Sequence, residues 1–259
     1  MNPRMSKRDR DGNMRAYEPK QKPAAPESQF TPMFMNFRNE LDQHHDRRER
    51  VIKASRDVTA LSKKIIFTCQ RVNKLGDLPN FATKEIATRM EEIKNHLTAI
   101  EPDIQGINRY RYAYSLRCLE ELVEALSFSH YLRTQTLISP EETAAAVPAN
   151  VSITENDYMY GLFDLFGEMM RFATVTTAQT GQLAGIEGRN ILQDIHELSS
   201  CFEILPEIPT KDFRGKMEVM RQSVRKVEKL GYGLAIRGTE RPKGWVPDMK
   251  EDFDPSSLD

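Results

Sequence analysis

The sequence predicts an all-α protein, a bundle of about seven helices flanked by disordered N-terminal and C-terminal tails. The chain of 259 residues has long stretches without proline after Pro32, and proline breaks the interior of a helix. Within these stretches apolar residues recur every three or four positions, which is the helical repeat. No stretch alternates apolar and polar residues as a half-buried strand would.

Composition divides the chain into three parts. Residues 1–30 are predicted to be a disordered basic leader, because they combine charges and prolines with few apolar side chains. Residues 31–240 are predicted to form the helical domain, and residues 241–259 an acidic C-terminal tail. The leader's cluster Lys7-Arg8-Asp9-Arg10 suits a nuclear-import signal or a weak RNA-contacting arm, although such runs are common by chance.

The first three helices follow from apolar spacing and from breaks between them. The first is predicted from Phe34 to Leu75, an amphipathic stretch with charges between its apolar positions. The segment Gly76-Asp77-Leu78-Pro79 ends it. The second helix carries apolar positions from 86 to 100 and stops before Pro102. The third passes through Leu119, Leu122 and Leu126.

Capping residues place the next two helices. Ser139 is followed by Pro140 at the first helical position and by Glu142 three residues after the cap, so a short helix begins there. Thr154 begins the fifth helix, and Gly181 and Gly185 suggest its end. The last two helices are predicted around apolar positions 191–198, before Pro206, and 213–230.

Bulk properties exclude several classes of protein. The net charge of −1 and the pI of about 6.6 predict neither nucleic-acid nor membrane binding by the chain alone, so a nucleic-acid surface must be local or supplied by a partner. The sequence has no apolar run near 18 residues and a charged start, so neither a membrane span nor a secretory signal is expected. Cys69, Cys118 and Cys201 are widely spaced without a CxxC motif, which argues against a disulfide framework or a zinc site and favours a reducing, intracellular compartment.

Two pairs of acidic residues inside apolar helical stretches are the strongest candidates for chemistry: Glu121 and Glu124 on the third helix, Asp164 and Glu168 on the fifth. Each pair projects from one side of its helix, so two such helices laid together would focus four carboxylates on one point. Oxygen-only ligands suit Mg²⁺ or Mn²⁺, cations that support phosphodiester cleavage. A solvated acidic face is the alternative, because acidic pairs are usually exposed.

Three further residues adjoin these pairs. Gly161 and Gly167 neighbour the second pair, although a mid-helix glycine costs roughly 1 kcal/mol relative to alanine. They therefore suggest the close approach of another backbone or of a bulky ligand, with loose selection as the alternative. Glu120 is an additional acid beside the first pair, and the pattern assigns it no role.

Aromatic and basic residues alternate ahead of the third helix, as they would on a surface that stacks a nucleic-acid strand. Arg111, Tyr114 and Arg117 are the candidates for RNA contact there, and tyrosines that anchor helix packing are the alternative. His130 is a further candidate, for which a hydrogen-bonded core histidine is the default. The pair His44-His45 favours a solvated face over a metal site, because neighbouring helical residues point apart.

Several segments of the chain resemble the translin family, and within it the branch of translin-associated factor X (TRAX). They are residues 37–59 in the first helix, Glu121–Phe128 with His130 in the third, residues 157–171 in the fifth and residues 226–238 in the last. The likeness covers roughly residues 34–240 and is specific in combination.

The resemblance implies a helical bundle that assembles with translin into a closed, barrel-like hetero-oligomer. In that family the TRAX subunit carries a Mg²⁺-dependent endoribonuclease site, and the assembly takes short or single-stranded RNA into its interior. Family roles include removal of passenger strands in RNA silencing and processing of tRNA-derived fragments. The family's acidic site carries over onto Glu121, Glu124, Asp164 and Glu168 as metal ligands.

Our leading interpretation is therefore a catalytic ribonuclease subunit that binds one or two Mg²⁺ ions, with Mn²⁺ as a substitute. Translin supplies most of the positive surface for RNA, single-stranded DNA is a second candidate ligand, and no membrane partner is expected. Cytoplasm and nucleus are the expected compartments. The alternative is a non-catalytic helical adaptor that stabilises translin and binds nucleic acid or protein partners.

Overall fold

A computed structural model describes residues 28–76, 78–186 and 188–237 of the chain. This part of the chain contains eight α-helices, which confirms the predicted all-α fold class. The predicted leader and acidic tail fall almost wholly outside it. The helices are α1 (Thr31–Cys69), α2 (Asn80–Ile100), α3 (Ile107–Arg111), α4 (Cys118–Thr134), α5 (Pro140–Ala145), α6 (Glu155–Thr180), α7 (Ile191–Glu203) and α8 (Lys211–Arg237).

The chain divides into two compact units, one up to His44 and one from His45 onward. In the first unit α1 is largely exposed and carries ion pairs along its own surface. Arg38 lies 3.6 Å from Asp42, and His44 lies 3.9 Å from Glu40, both one helical turn apart. These contacts agree with the solvated interpretation of this charged stretch.

The second unit is built around α4, which is buried on most of its surface. It packs against α6, and α6 in turn packs against α8, with α7 alongside. Phe163 of α6 lies 4.5 Å from Phe202 of α7 and 5.7 Å from Phe213 of α8, measured between ring centroids. Aromatic pairs in such edge-to-face and tilted arrangements contribute beyond their buried area, so these rings fix α6, α7 and α8 relative to one another.

Capping explains where several helices begin and end. Ser139 and Thr154 each form a capping box, which confirms the predicted starts of α5 and α6. Asn190 caps α7 in the same way, a start that the sequence pattern did not identify. Gly181 ends α6 with a φ of 72°, a left-handed conformation that glycine adopts without a steric penalty.

The first helix ends earlier than predicted, at Cys69 rather than at Leu75. Val72 nevertheless stays buried in the turn that follows, which explains why the apolar period continues past the helix. The backbone N–H of Gly76 then donates to the carbonyl oxygen of Leu132 at 2.9 Å, so the turn is tied to the end of α4.

Two short features between the long helices were not predicted. One is α3, which lies between two 3₁₀ turns. The other is a hairpin between α6 and α7, in which β1 (Gly185–Ile186) pairs antiparallel with β2 (Arg189–Asn190). Each strand has two residues, which is too short to produce an alternating pattern in the sequence.

None of the helices in the described segments is long and apolar enough to cross a membrane. The three cysteines are free thiols, of which Cys69 and Cys118 are buried and Cys201 is exposed.

Candidate functional site

The crossing of α4 and α6 places the two acidic pairs close enough for their carboxylates to act on one another. A Cβ atom added to Gly161 would lie 2.6 Å from the Cβ atom of Val123 and 2.7 Å from the carbonyl oxygen of Glu120. The two helix backbones therefore approach closely here. Close approach of another backbone was one of the explanations that the sequence offered for this glycine. Gly167 faces open space, so the same explanation does not apply to it.

The four acids lie along a partly open strip between otherwise buried helix faces. The side chain of Glu121 is 23% exposed and that of Asp164 is 37% exposed, and Glu124 and Glu168 are half-buried. Burial, together with the carboxylates of Asp164, Glu121 and Glu168, raises the pKa of Glu124 from its ordinary value of 4.5 to about 8. The predicted acids are thus close enough to act on one another.

Lysine side chains from α8 and α1 contact two of these acids. The Nζ atom of Lys216 lies 2.5 Å from Oδ2 of Asp164, and the Nζ atom of Lys63 lies 3.8 Å from Oε1 of Glu121. Sequence analysis did not identify these contacts, because no local pattern links α1 or α8 to the acids.

Glu168 has a neutral partner. The side-chain amide of Gln70, one residue beyond α1, donates to both carboxylate oxygens of Glu168 at 3.1 and 3.0 Å. Two cations and one amide therefore surround the acidic strip.

The donor set fits a hard divalent cation, because it consists of carboxylate oxygens. The side-chain arrangement does not yet form a ligand shell: in the part of the chain that the structure describes, no three His, Cys, Asp or Glu side chains converge on one point. Three of the four carboxylates instead contact Lys216, Lys63 and Gln70. A cation that binds these acids would compete with those contacts.

Arg117 links the aromatic segment to the acidic strip. Its guanidinium lies 5.5 Å from the ring centroid of Tyr114, whose side chain is 83% exposed. It also lies 3.4 Å from Oε1 of Glu120 and donates to Oδ2 of Asp212 at 2.9 Å. Glu120, which the sequence left without a role, thus pairs with Arg117.

The other two RNA-contact candidates lie elsewhere on the surface. Arg111 is exposed at the last residue of α3. His130 is half-buried near the end of α4, and its Nε2 atom lies 3.0 Å from Oγ1 of Thr136. Burial lowers the pKa of His130. The hydrogen bond agrees with the default interpretation of a hydrogen-bonded core histidine, although the residue is half-buried and not in the core.

A cavity of about 420 Å³ opens beside Asp164. Arg117, Lys211 and Lys216 contribute three basic side chains to its lining. A second cavity of about 430 Å³, between α4, α6 and α7, has an apolar floor of Leu165 and Met169 and is lined by none of the four acids. The first cavity is therefore the one that adjoins the carboxylates, and its lining combines these three basic side chains with the acids Asp164 and Asp212.

Fold and site together define an all-helical protein with a carboxylate cluster at a helix crossing. The profile of the translin family matches residues 46–238. The chain belongs to the translin family, which confirms the resemblance inferred from its sequence.

Translin-associated protein X and translin from other organisms align with this chain over most of their length. Translin-associated protein X of Rattus norvegicus is 28% identical over 253 residues, covering 88% of this chain and 86% of the relative. The Schizosaccharomyces pombe homolog is 28% identical over 212 residues, covering 80% and 89%. Human translin is 25% identical over 216 residues, covering 80% and 92%.

A solved structure shares the fold. The crystal structure of apo-NeC3PO superimposes with a TM-score of 0.59 and 21% identity, covering 76% of this chain and 94% of that chain. At this identity the likeness establishes the architecture.

Proposed function

We propose that this chain is the Mg²⁺-dependent endoribonuclease subunit of a hetero-oligomer with translin. The substrate is short or single-stranded RNA, including passenger strands in RNA silencing and tRNA-derived fragments. The observation that carries this proposal is the placement of four carboxylates from α4 and α6 in one partly open strip, close enough for Asp164, Glu121 and Glu168 to raise the pKa of Glu124. Membership of the translin family and the similarity to translin-associated protein X support the partner.

In this proposal Glu121, Glu124, Asp164 and Glu168 hold one or two Mg²⁺ ions, or Mn²⁺ in their place. A cation held there would supply a water of lowered pKa and stabilise negative charge on the phosphodiester. Attack of water on phosphorus, with departure of the 3′-oxygen, would leave a 5′-phosphate on one fragment and a 3′-hydroxyl on the other. Attack by the RNA's own 2′-hydroxyl would not require an acidic site.

The remaining side chains position the RNA. The basic residues that line the cavity beside Asp164 bind phosphate oxygens, and Tyr114 stacks on a base. Because the net charge of the chain is −1, most of the positive surface comes from the partner. We place the complex in both cytoplasm and nucleus, with the basic cluster near residue 7 as the candidate import signal.

Asp164→Asn tests the proposal, because it removes a charge and keeps nearly the same volume. We expect the variant, coexpressed with translin, to assemble and bind RNA normally. Its Mg²⁺-dependent cleavage of single-stranded RNA should fall by roughly 100-fold or more, since even outer-shell partners of a metal contribute 10- to 100-fold. Denaturing gels of 5′-labelled RNA, run with Mg²⁺ and with a chelator, give the rate.

Asp57→Asn is the matched control. Asp57 lies on α1 with its side chain 47% exposed and forms an ion pair with His96 at 3.9 Å, so this variant should cleave RNA like the wild type. Equal cleavage by the Asp164 variant, or cleavage that persists in chelator, would contradict the proposal.

The adaptor alternative is favoured by one specific observation, the direct contact of Lys216 with Asp164. In a non-catalytic protein Lys216 would remain the permanent partner of Asp164. An assembled complex that binds RNA and fails to cut it under any divalent cation would establish the adaptor.

A further inference from the structure

Lys216 is the cation that most of the acidic strip shares. Its Nζ atom lies 2.5 Å from Oδ2 of Asp164, and the side chain is 23% exposed. Glu121 and Glu124 on α4 also lie within reach of its charge, so a single ammonium group compensates carboxylates from both α4 and α6.

The fold holds Lys216 in this place. Its neighbours on α8, Met217 and Met220, are buried in the core, so the helix cannot turn the lysine away from the strip. The ammonium group also lies 5.7 Å from the ring centroid of Tyr160, within the range of a cation–π contact. Lys63 contacts Glu121 at the longer distance of 3.8 Å and is 65% exposed, so its compensation is weaker.

The side chain also has space into which it can move. Lys216 lines the cavity of about 420 Å³ beside Asp164, where Gly215 and Val219 form part of the wall. A lysine has a flexible four-carbon stem, so the ammonium group can leave the carboxylate while α8 stays in place.

We propose that Lys216 is a built-in counter-ion that closes the carboxylate centre in the metal-free protein, and that a divalent cation must displace it to bind. The inference rests on the proposed function, because it takes a divalent cation as the ligand of these acids. Lys216 is then a positioning residue that sets the metal concentration at which the centre fills.

The physical basis is competition for the same oxygen atoms. An ammonium group and a divalent cation cannot both occupy Oδ2 of Asp164, and like charges a few ångströms apart repel strongly where water is partly excluded. Removing the ammonium group leaves Asp164 without its ion-pair partner and reduces the positive charge near Glu121 and Glu124. The metal-free protein then becomes less stable, and its affinity for a divalent cation rises.

Calorimetric titration with Mn²⁺ of the full chain tests this inference, together with thermal unfolding in the presence and absence of Mn²⁺. Lys216→Met keeps the length of the side chain without its charge. We expect Mn²⁺ to bind this variant about ten-fold tighter or more than the wild type, given the strength of a unit charge at this range. The metal-free variant should melt earlier than the wild type, and saturating Mn²⁺ should restore its melting temperature.

Two variants separate competition from a general effect of charge. Lys216→Arg keeps the positive charge at the same position and should bind Mn²⁺ as weakly as the wild type. Lys229→Met removes an exposed charge from the same helix and should leave the affinity within about two-fold, because exposed charges are screened by salt.

The wild-type chain provides a measurement that needs no substitution. Labelling of Lys216 by an amine-reactive reagent, read by peptide mass spectrometry, should increase when Mn²⁺ is added, while labelling of Lys229 stays constant. Unchanged labelling of Lys216 in a metal-bound chain would overturn the inference.

The remaining outcomes separate the inference from the function on which it rests. A wild type that binds Mn²⁺, with a folded Lys216→Met variant that binds it no tighter, overturns the inference alone. Failure of both proteins to bind Mn²⁺ overturns the proposed metal centre itself.

Discussion

Glu124 illustrates the electrostatic consequence of gathering carboxylates at one helix crossing. It lies among Asp164, Glu121 and Glu168, and burial together with these neighbours raises its pKa to about 8. A carboxyl group with such a pKa holds its proton at neutral pH when no cation is bound. Binding of a divalent cation should therefore release protons, as expected wherever a metal ligand must first deprotonate.

The stability of the metal-free protein should depend on pH through Glu124. Because the folded-state pKa is raised above the ordinary value of 4.5 to about 8, the folded state binds the proton more tightly than the unfolded state. The contribution of Glu124 to the free energy of unfolding should thus be greatest below about pH 4.5. It should fall as pH rises toward 8. Urea unfolding in chelator, repeated across this range, measures the slope.

Glu124→Gln should flatten that slope, because an amide cannot ionise. Glu91→Gln, at an exposed position of α2, is the control and should keep the slope of the wild type. A slope that survives in the Glu124 variant would show that another group causes the pH dependence.

At this scale the sequence predicted the acids and missed their partners. The spacing of Asp164 and Glu168 within one helix is a local property, and it was enough to place both side chains on one side of α6. Lys216 and Gln70 reach the strip from α8 and from the end of α1, far away along the chain. Such contacts depend on how the helices pack, and no local pattern encodes them.

At the scale of elements, the close crossing of α4 and α6 depends on the absence of a side chain at Gly161. Gly161→Ala would place a methyl group 2.7 Å from a backbone oxygen and 2.6 Å from Val123, so the helices must separate. We expect the free energy of unfolding to fall by about 1–3 kcal/mol, as for other overpacked cores. Urea denaturation measures the change.

Gly167→Ala is the matched substitution on the same helix. Nothing lies within 4 Å of the added methyl group, so alanine's better helix propensity should dominate and raise stability by about 0.5–1 kcal/mol. If both variants shift stability in the same direction, the close approach at Gly161 is not the deciding interaction.

The boundaries of the elements show which features are locally encoded. The starts of α5 and α6 were predicted, because Ser139 and Thr154 form capping boxes with residues three positions ahead. The β1–β2 hairpin was not predicted, because its support comes from elsewhere: the backbone N–H of Ile186 donates to Oε1 of Gln135 at 2.7 Å. Gly161 and Gly167 could not be distinguished from the sequence either, because they differ only in whether α4 approaches them.

At the scale of the whole molecule, charge determines how RNA can be bound. A chain with a net charge of −1 has little general attraction for a polyanion. We therefore expect the chain alone to bind single-stranded RNA weakly, and its complex with translin to bind it with a marked dependence on salt. In that complex the basic and aromatic side chains near the acidic strip would orient the strand.

Tyr114→Ala tests that orientation. One stacked base contributes about 1–3 kcal/mol to the binding free energy, so the affinity of the complex for single-stranded RNA should fall by that amount. Fluorescence anisotropy measures the affinity. Tyr232→Ala removes another exposed tyrosine, on α8, and should change the affinity little. Equal losses in the two variants would indicate a general effect of aromatic surface.

The burial of two cysteines has a practical consequence. Burial raises the pKa of the Cys69 thiol to about 12 and that of the Cys118 thiol to about 11, so neither forms the reactive thiolate at neutral pH. Cys201 is exposed on α7. A maleimide dye should therefore attach at one position of the unmodified chain. Energy transfer from that dye to a labelled translin would report assembly in real time without any engineered residue.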